Sequence, residues 1–168
     1  MDEEIPKISK RWEGKATTQL ETIKAEDIWP LIEDFCNIHK WLPTIDTCHH
    51  VQGDHGQPGL VRYCASTLDN DNNNNTAVKW CHEKLISIDH AHRCLSYEIM
   101  ENNIGFTCYM AELKVIENID DHGCKIEWSF VADPVQGWRF EDLCGYVDSS
   151  LKAMAGKMEE ALQAATNN

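Results

Sequence analysis

The sequence predicts an α+β fold in which a curved, seven-stranded antiparallel sheet closes on one long C-terminal helix. Two observations carry this expectation. Between Arg139 and Ala165, apolar residues recur at Phe140, Leu143, Cys144, Val147, Leu151, Met154, Ala155, Met158, Leu162 and Ala165, in steps of three, four and one that keep them on a single helical face. Upstream of Arg139, most segments instead alternate apolar and polar residues at the two-residue period of a half-buried strand. A helix of this length reaches roughly 40 Å at ~1.5 Å per residue. Its apolar stripe needs an apolar layer to cover, and a sheet supplies one.

The elements follow in order. Ile8 to Leu20 alternates, with Ile8, Trp12, Ala16 and Leu20 on one side and Arg11, Glu13, Lys15, Thr17 and Gln19 on the other. This is a strand. Ala25 to Phe35 reads as a short helix whose first acids suit the positive end of the helix dipole. Pro30 loses no backbone bond within about the first turn, which places the helix start near Glu26. Asn37 to Leu42 reads as a second short helix ended by Pro43.

Strands return at Cys48 to Val51, followed by Gly53 to Gly59, which has the turn chemistry of a hairpin loop. Leu60 to Thr67 and Val78 to Ile88 are strands either side of the polar stretch Asp69 to Asn75, read as a solvated hairpin tip. Leu95 to Glu101, Thr107 to Glu117 and Cys124 to Ala132 complete the set, the last two parted by a turn at Asp120 to Gly123. Strands joined by short turns pair antiparallel.

The 168 residues suffice for one domain, 1–168, that buries its own core. Fifteen basic against 28 acidic residues leave a net charge of −13, which repels phosphate backbones and anionic bilayers and argues against nucleic-acid or membrane-surface partners. No apolar run is long enough to span a bilayer, and Met1 to Lys10 does not resemble a leader, so a cytoplasmic protein without membrane insertion is expected. The eight cysteines show no paired spacing and read as reduced, small hydrophobic residues. Asn74-Asn75-Thr76 is a sequon that means little without a secretory route. His49, His50 and His55, and His90 with His92, sit near turns without zinc-ligand spacing, so no metal is expected.

A curled sheet around one helix leaves a wedge of space, and Trp12, Tyr63, Trp80, Tyr97, Phe106, Tyr109, Trp128 and Phe130 are candidates to line it, with Val147 and Leu151 from the helix. Such rings ordinarily just fill a core, but interleaved hydroxyls and charges also suit a ligand pocket.

The order of elements, with Trp12-Glu-Gly-Lys15, Trp29, Asp34-Phe35, His39-Lys40, Pro43, Gly59 to Tyr63 (GLVRY), Glu83-Lys84-Leu85, Asp89, Ser96-Tyr97, Gly105, Tyr109 and Trp128-Ser-Phe130, resembles the plant lachrymatory-factor-synthase-like branch of the polyketide cyclase/dehydrase group. That group lies within the START and birch-pollen-allergen superfamily. The resemblance implies a helix-grip fold with an internal ligand cavity and no cofactor. It also implies a working pair, an arginine on the VRY strand and a glutamate on the EKL strand, which match Arg62 and Glu83. The family's cavity tyrosines match Tyr97 and Tyr109. The chain departs from the pattern in its longer Asp69 to Asn75 stretch and in Lys79, where the family synthase carries an aromatic residue.

The chemistry of the pair stands on its own terms. Arginine holds its proton and offers a rigid fork of donors to an oxyanion. A carboxylate withdrawn from water loses preference for its charged form, and an adjacent guanidinium restores it. Glu83 can then accept a proton while Arg62 orients the substrate oxygen. The same residues also fit a surface cross-strand ion pair worth under about 1 kcal/mol. Glu83 shares a strand face with Lys79, Cys81, Leu85 and Ser87, which is not cleanly apolar, so either a bulge re-aims the strand or the faces are misassigned.

The expectation is a monomer or weak homodimer that takes a small hydrophobic ligand. As an enzyme it is a cofactor-free isomerase or cyclase moving a proton on a hydrophobic or sulfur-containing substrate. Without catalysis it binds or carries a lipid, hormone-like or polyketide-like molecule.

Overall fold

The structure, a computed structural model, describes residues 10–67, 78–119 and 122–167. Ile8, the Asp69 to Asn75 stretch with its neighbouring sequon, and Asp120-Asp121 lie outside these residues. The elements are β1 (Trp12–Leu20), α1 (Ala25–Glu33), a 3-10 helix (Phe35–Lys40), β2 (Thr47–Gln52), β3 (Val61–Ser66), β4 (Lys79–Asp89), β5 (Cys94–Asn102), β6 (Met110–Glu117), β7 (Cys124–Ala132) and α2 (Phe140–Thr166). The strands form one antiparallel sheet in the order β1-β7-β6-β5-β4-β3-β2. This is the expected helix-grip α+β arrangement. The first strand pairs with the last, and α1 with the 3-10 helix carries the chain to the far edge, where β2 starts the meander.

The inner face of α2 is dry. Leu143, Val147, Leu151, Met154, Ala155 and Met158 are buried, and each aliphatic side chain removed from water contributes roughly 1.5–3 kcal/mol. The helix lies chiefly against β1, with lesser contact to β7 and α1. Gly14 permits this approach: a Cβ there would stand 2.6 Å from the Phe130 ring and 3.2 Å from Cys144 Sγ. A helix about 10 Å across cannot cover seven strands spaced ~4.8 Å apart. The β3–β5 half of the sheet therefore meets other cover or none.

Three details differ from the sequence expectation. Helix α1 begins at Ala25, so Pro30 falls in its second turn and forfeits the bond to the Glu26 carbonyl. Glu26, which carries that carbonyl, is an exposed residue. The second short helix is a 3-10 segment starting at Phe35, not a helix from Asn37. Strand β6 starts at Met110 and not at Thr107, because Cys108 turns the backbone to φ 53° just before it, a left-handed conformation uncommon outside glycine. Asn102 organises that turn. Its Oδ1 accepts from the backbone N–H groups of Ile104, Gly105 and Phe106 at 3.1, 2.9 and 3.0 Å.

The strand-face question for Glu83 resolves through two irregularities. The β4–β5 register shifts between Cys81 and Glu83 and again between Leu85 and Ser87. Cys81, Glu83 and Leu85 are buried on the inner face, whereas Ser87 beyond the second shift is exposed. The polarity of that face reduces to Lys79 at the exposed start of the strand, since Ser87 beyond the second shift lies on the other side.

Candidate functional site

A cavity of about 380 Å³, partly open to solvent, occupies the space that α2 leaves over β3, β4 and β5. Its wall is β-sheet: Cys64, Ala65 and Ser66 from β3, Lys79, Cys81 and Glu83 from β4, Ile99 from β5 and Trp128 from β7. Leu42, Thr44 and Ile45 close one side, Ile104 and Phe106 from the Asn102 turn another, and Trp138 and Tyr146 bring in the start of α2. The volume is at the lower end of the ~300–1,000 Å³ usual for small-molecule sites.

Arg62 and Glu83 stand directly opposite each other on β3 and β4, with 4% and 5% of their surfaces exposed. Arg62 Nε donates to Glu83 Oε1 at 3.2 Å, and Nη2 lies 3.1 Å from the same oxygen. Oε2 accepts no hydrogen bond from the described residues. Nη1 of Arg62 donates to the Phe35 carbonyl at 2.6 Å, and its guanidinium carbon lies 3.7 Å from the centre of the Phe35 ring and 5.2 Å from that of Tyr97. Burial is the largest single influence and disfavours the Arg62 cation, but the Glu83 carboxylate together with the smaller effects of Cys64, Tyr97 and Cys48 outweighs it and holds the guanidinium charged. Glu83 lines the cavity and Arg62 does not. The arginine sits behind the carboxylate, pinned between the sheet and the α1–3-10 junction.

The remaining predicted site residues divide into three groups. Trp128 lines the cavity, and its indole N–H is buried without a hydrogen-bond partner. It bears on the Tyr97 phenol, favouring that group's ionised form, without reaching it in hydrogen-bonding geometry. Tyr97, Tyr109, Phe130, Val147 and Leu151 are buried in the core around the cavity and are not among its lining residues. Burial pushes the Tyr97 and Tyr109 phenols well above their ordinary range, with the Glu83 charge adding to the effect, so both remain neutral donors. Tyr63 and Trp80 require correction. Each is flanked along its strand by residues that face inward, so each points to the outer face. There Tyr63 stacks with His49 and Trp80 at centroid distances of 5.0 and 6.3 Å.

Sequence reasoning missed Phe35 as the partner of Arg62, and missed Trp138 and Tyr146 in the cavity wall. It also missed a ladder of thiols. Cys48, Cys64 and Cys81 are successive cross-strand neighbours, with Cys48 and Cys64 sulfurs 3.7 Å apart. Their hydrogen bond and burial push Cys48 up; for Cys64 that bond acts downward but is outweighed by the bond to Cys81 and by burial. Both are thiols at neutral pH. Among the described residues, no group of three or more His, Cys, Asp or Glu is placed to hold a metal ion. No described helix is long and apolar enough to cross a membrane.

The family model described as polyketide cyclase / dehydrase and lipid transport matches residues 12–163. Among solved structures, the protein XoxI from Bacillus cereus is 22% identical, with a TM-score of 0.66 over 88% of this chain and 94% of that one. An uncharacterized protein from Bacillus thuringiensis is 25% identical, with a TM-score of 0.63 over 84% of this chain and 96% of its own. These two likenesses are of fold.

Proposed function

The chain belongs to the polyketide cyclase/dehydrase and lipid transport family, and from that premise we propose that it binds a small, largely apolar molecule in its cavity and moves a proton on it. Within the family we group it with the lachrymatory-factor-synthase-like proteins, as a cofactor-free isomerase or cyclase. The observation that carries this reading is a carboxylate with one bonded and one unbonded oxygen at the wall of an otherwise mostly apolar cavity.

Glu83 is the proton shuttle. Its Oε2 takes a proton from an O–H or C–H group of the ligand, and the resulting acid returns a proton to a different atom. Bonds and charge balance without an outside reactant. Arg62 supports Glu83 from behind, holding it in one rotamer, and is in this reading a positioning residue.

A second reading, a non-catalytic carrier, is favoured by one observation: the hydrogen bonds of Arg62 go to Glu83 and Phe35 and not into the cavity. One variant separates the two. Native mass spectrometry of freshly purified protein identifies the bound molecule, and its deuterium uptake from D2O at carbon reports turnover. Glu83→Gln is expected to retain the ligand and to lose deuterium uptake by at least about a hundredfold, the usual scale of a general base. Unchanged uptake refutes the shuttle, and parallel loss of ligand and uptake assigns Glu83 to binding alone.

A further inference from the structure

The cavity has a polarity of its own, and resting on the reading above it narrows the ligand class. Lys79, Cys81 and Glu83 are alternate residues of β4 and all line the cavity. Lys79 is exposed at the mouth, and Glu83 is buried at the inner end. Four residues of strand separate them by about 13 Å at ~3.3 Å each, too far to neutralise each other. Lys79 forms an ion pair with no carboxylate among the described residues.

The inner end is poorly suited to an anion. Glu83 lines the cavity with one carboxylate oxygen that accepts no hydrogen bond from the described residues, while the neutralising guanidinium of Arg62 is committed to Oε1 and to the Phe35 carbonyl. A hydroxyl can donate to that free oxygen, whereas a carboxylate meets like charge in a poorly hydrated space. Ile99 and Phe106 line the cavity with it. At the mouth, the ammonium of Lys79 offers a partner to a negative group.

We infer that this cavity selects a bipolar ligand: an uncharged hydroxyl-type head held by Glu83, an apolar middle, and an acidic tail paired with Lys79. An extended chain of about ten to eleven atoms, at roughly 1.3 Å of advance per bond, spans most or all of that distance. Lys79 is thereby the specificity-determining residue.

The test titrates the full chain with ω-hydroxyoctanoate, octanol and octanoate at low salt, reading heat or tryptophan fluorescence. The hydroxy acid is expected to bind about two- to fivefold more tightly than octanol, the range of an exposed ion pair, and more tightly than octanoate, which lacks the head. Lys79→Gln, or 0.5 M salt, should erase the preference over octanol, since a mouth-side pair is screened. Equal binding of octanol and the hydroxy acid, or a preference that survives Lys79→Gln, overturns the inference while leaving the cavity reading intact. If none of the three binds, the cavity reading falls and takes this inference with it.

Discussion

A single buried pair decides what the inner end of the cavity can do. Taking Arg62 and Glu83 out of water is expensive, and their attraction together with the Phe35 carbonyl bond offsets it only while all three partners are present. Arg62→Met should therefore destabilise the protein by about 3–5 kcal/mol, because it leaves a carboxylate buried without its counter-charge. The double variant Arg62→Met/Glu83→Leu should recover most of that loss, since no charge is left uncompensated. Urea denaturation measures both, and a single variant as stable as the parent would mean that water reaches Glu83 freely. The pair itself was legible in the sequence, where VRY and EKL lie on successive strands of a hairpin. Which partner lines the cavity was not. That depends on Phe35, a residue from another element whose carbonyl reaches Arg62 only after the chain has folded.

At the scale of elements, the approach of α2 to the sheet governs where space remains. Gly14 on β1 is the close point, and Gly14→Ala should destabilise by about 1–3 kcal/mol despite the smaller entropy loss of alanine on folding, because its methyl group would press into the Phe130 ring. Thermal unfolding measures this. An unchanged melting temperature would mean that α2 can slide outward without penalty. The periods of β7 and α2 read almost to the residue, for these elements bury one unbroken face. The irregular parts read worse. The β4 bulge places Ser87 outside, Cys108 delays β6, and Pro30 lies deeper in α1 than helix energetics would choose. Each is a local exception tolerated because tertiary packing or solvent supplies what the backbone lost.

For the molecule as a whole, the alkaline limb of stability is set by buried acids that stay protonated only in the folded state. Cys64, Tyr97 and Tyr109 are all raised from ordinary values of 9.0 and 10.0, chiefly by burial for the two tyrosines and by the Cys81 bond and burial, against the Cys48 bond, for the thiol. The unfolded chain releases these protons first, so above about pH 9 it binds fewer protons than the native state and stability falls as pH rises. Each group adds up to ~1.4 kcal/mol per pH unit beyond its unfolded value, and together they contribute no slope below about pH 8. Urea midpoints at pH 8, 9.5 and 10.5 should therefore descend with increasing steepness. A level profile across that range would mean that these side chains are solvated in the native state.

The sequence by itself determined the elements, their order, the antiparallel sheet with its closing helix and the arginine and glutamate on facing strands. Period and turn chemistry are local properties, which survive in a chain read one window at a time. Only the tertiary structure decided that Tyr63 and Trp80 turn outward, that Arg62 stands behind Glu83, and that Lys79 and Glu83 line one space. A cavity is the volume that packing fails to fill. It is set by the width of the sheet against the width of the helix and by where Gly14 lets them touch, so no stretch of residues carries it alone.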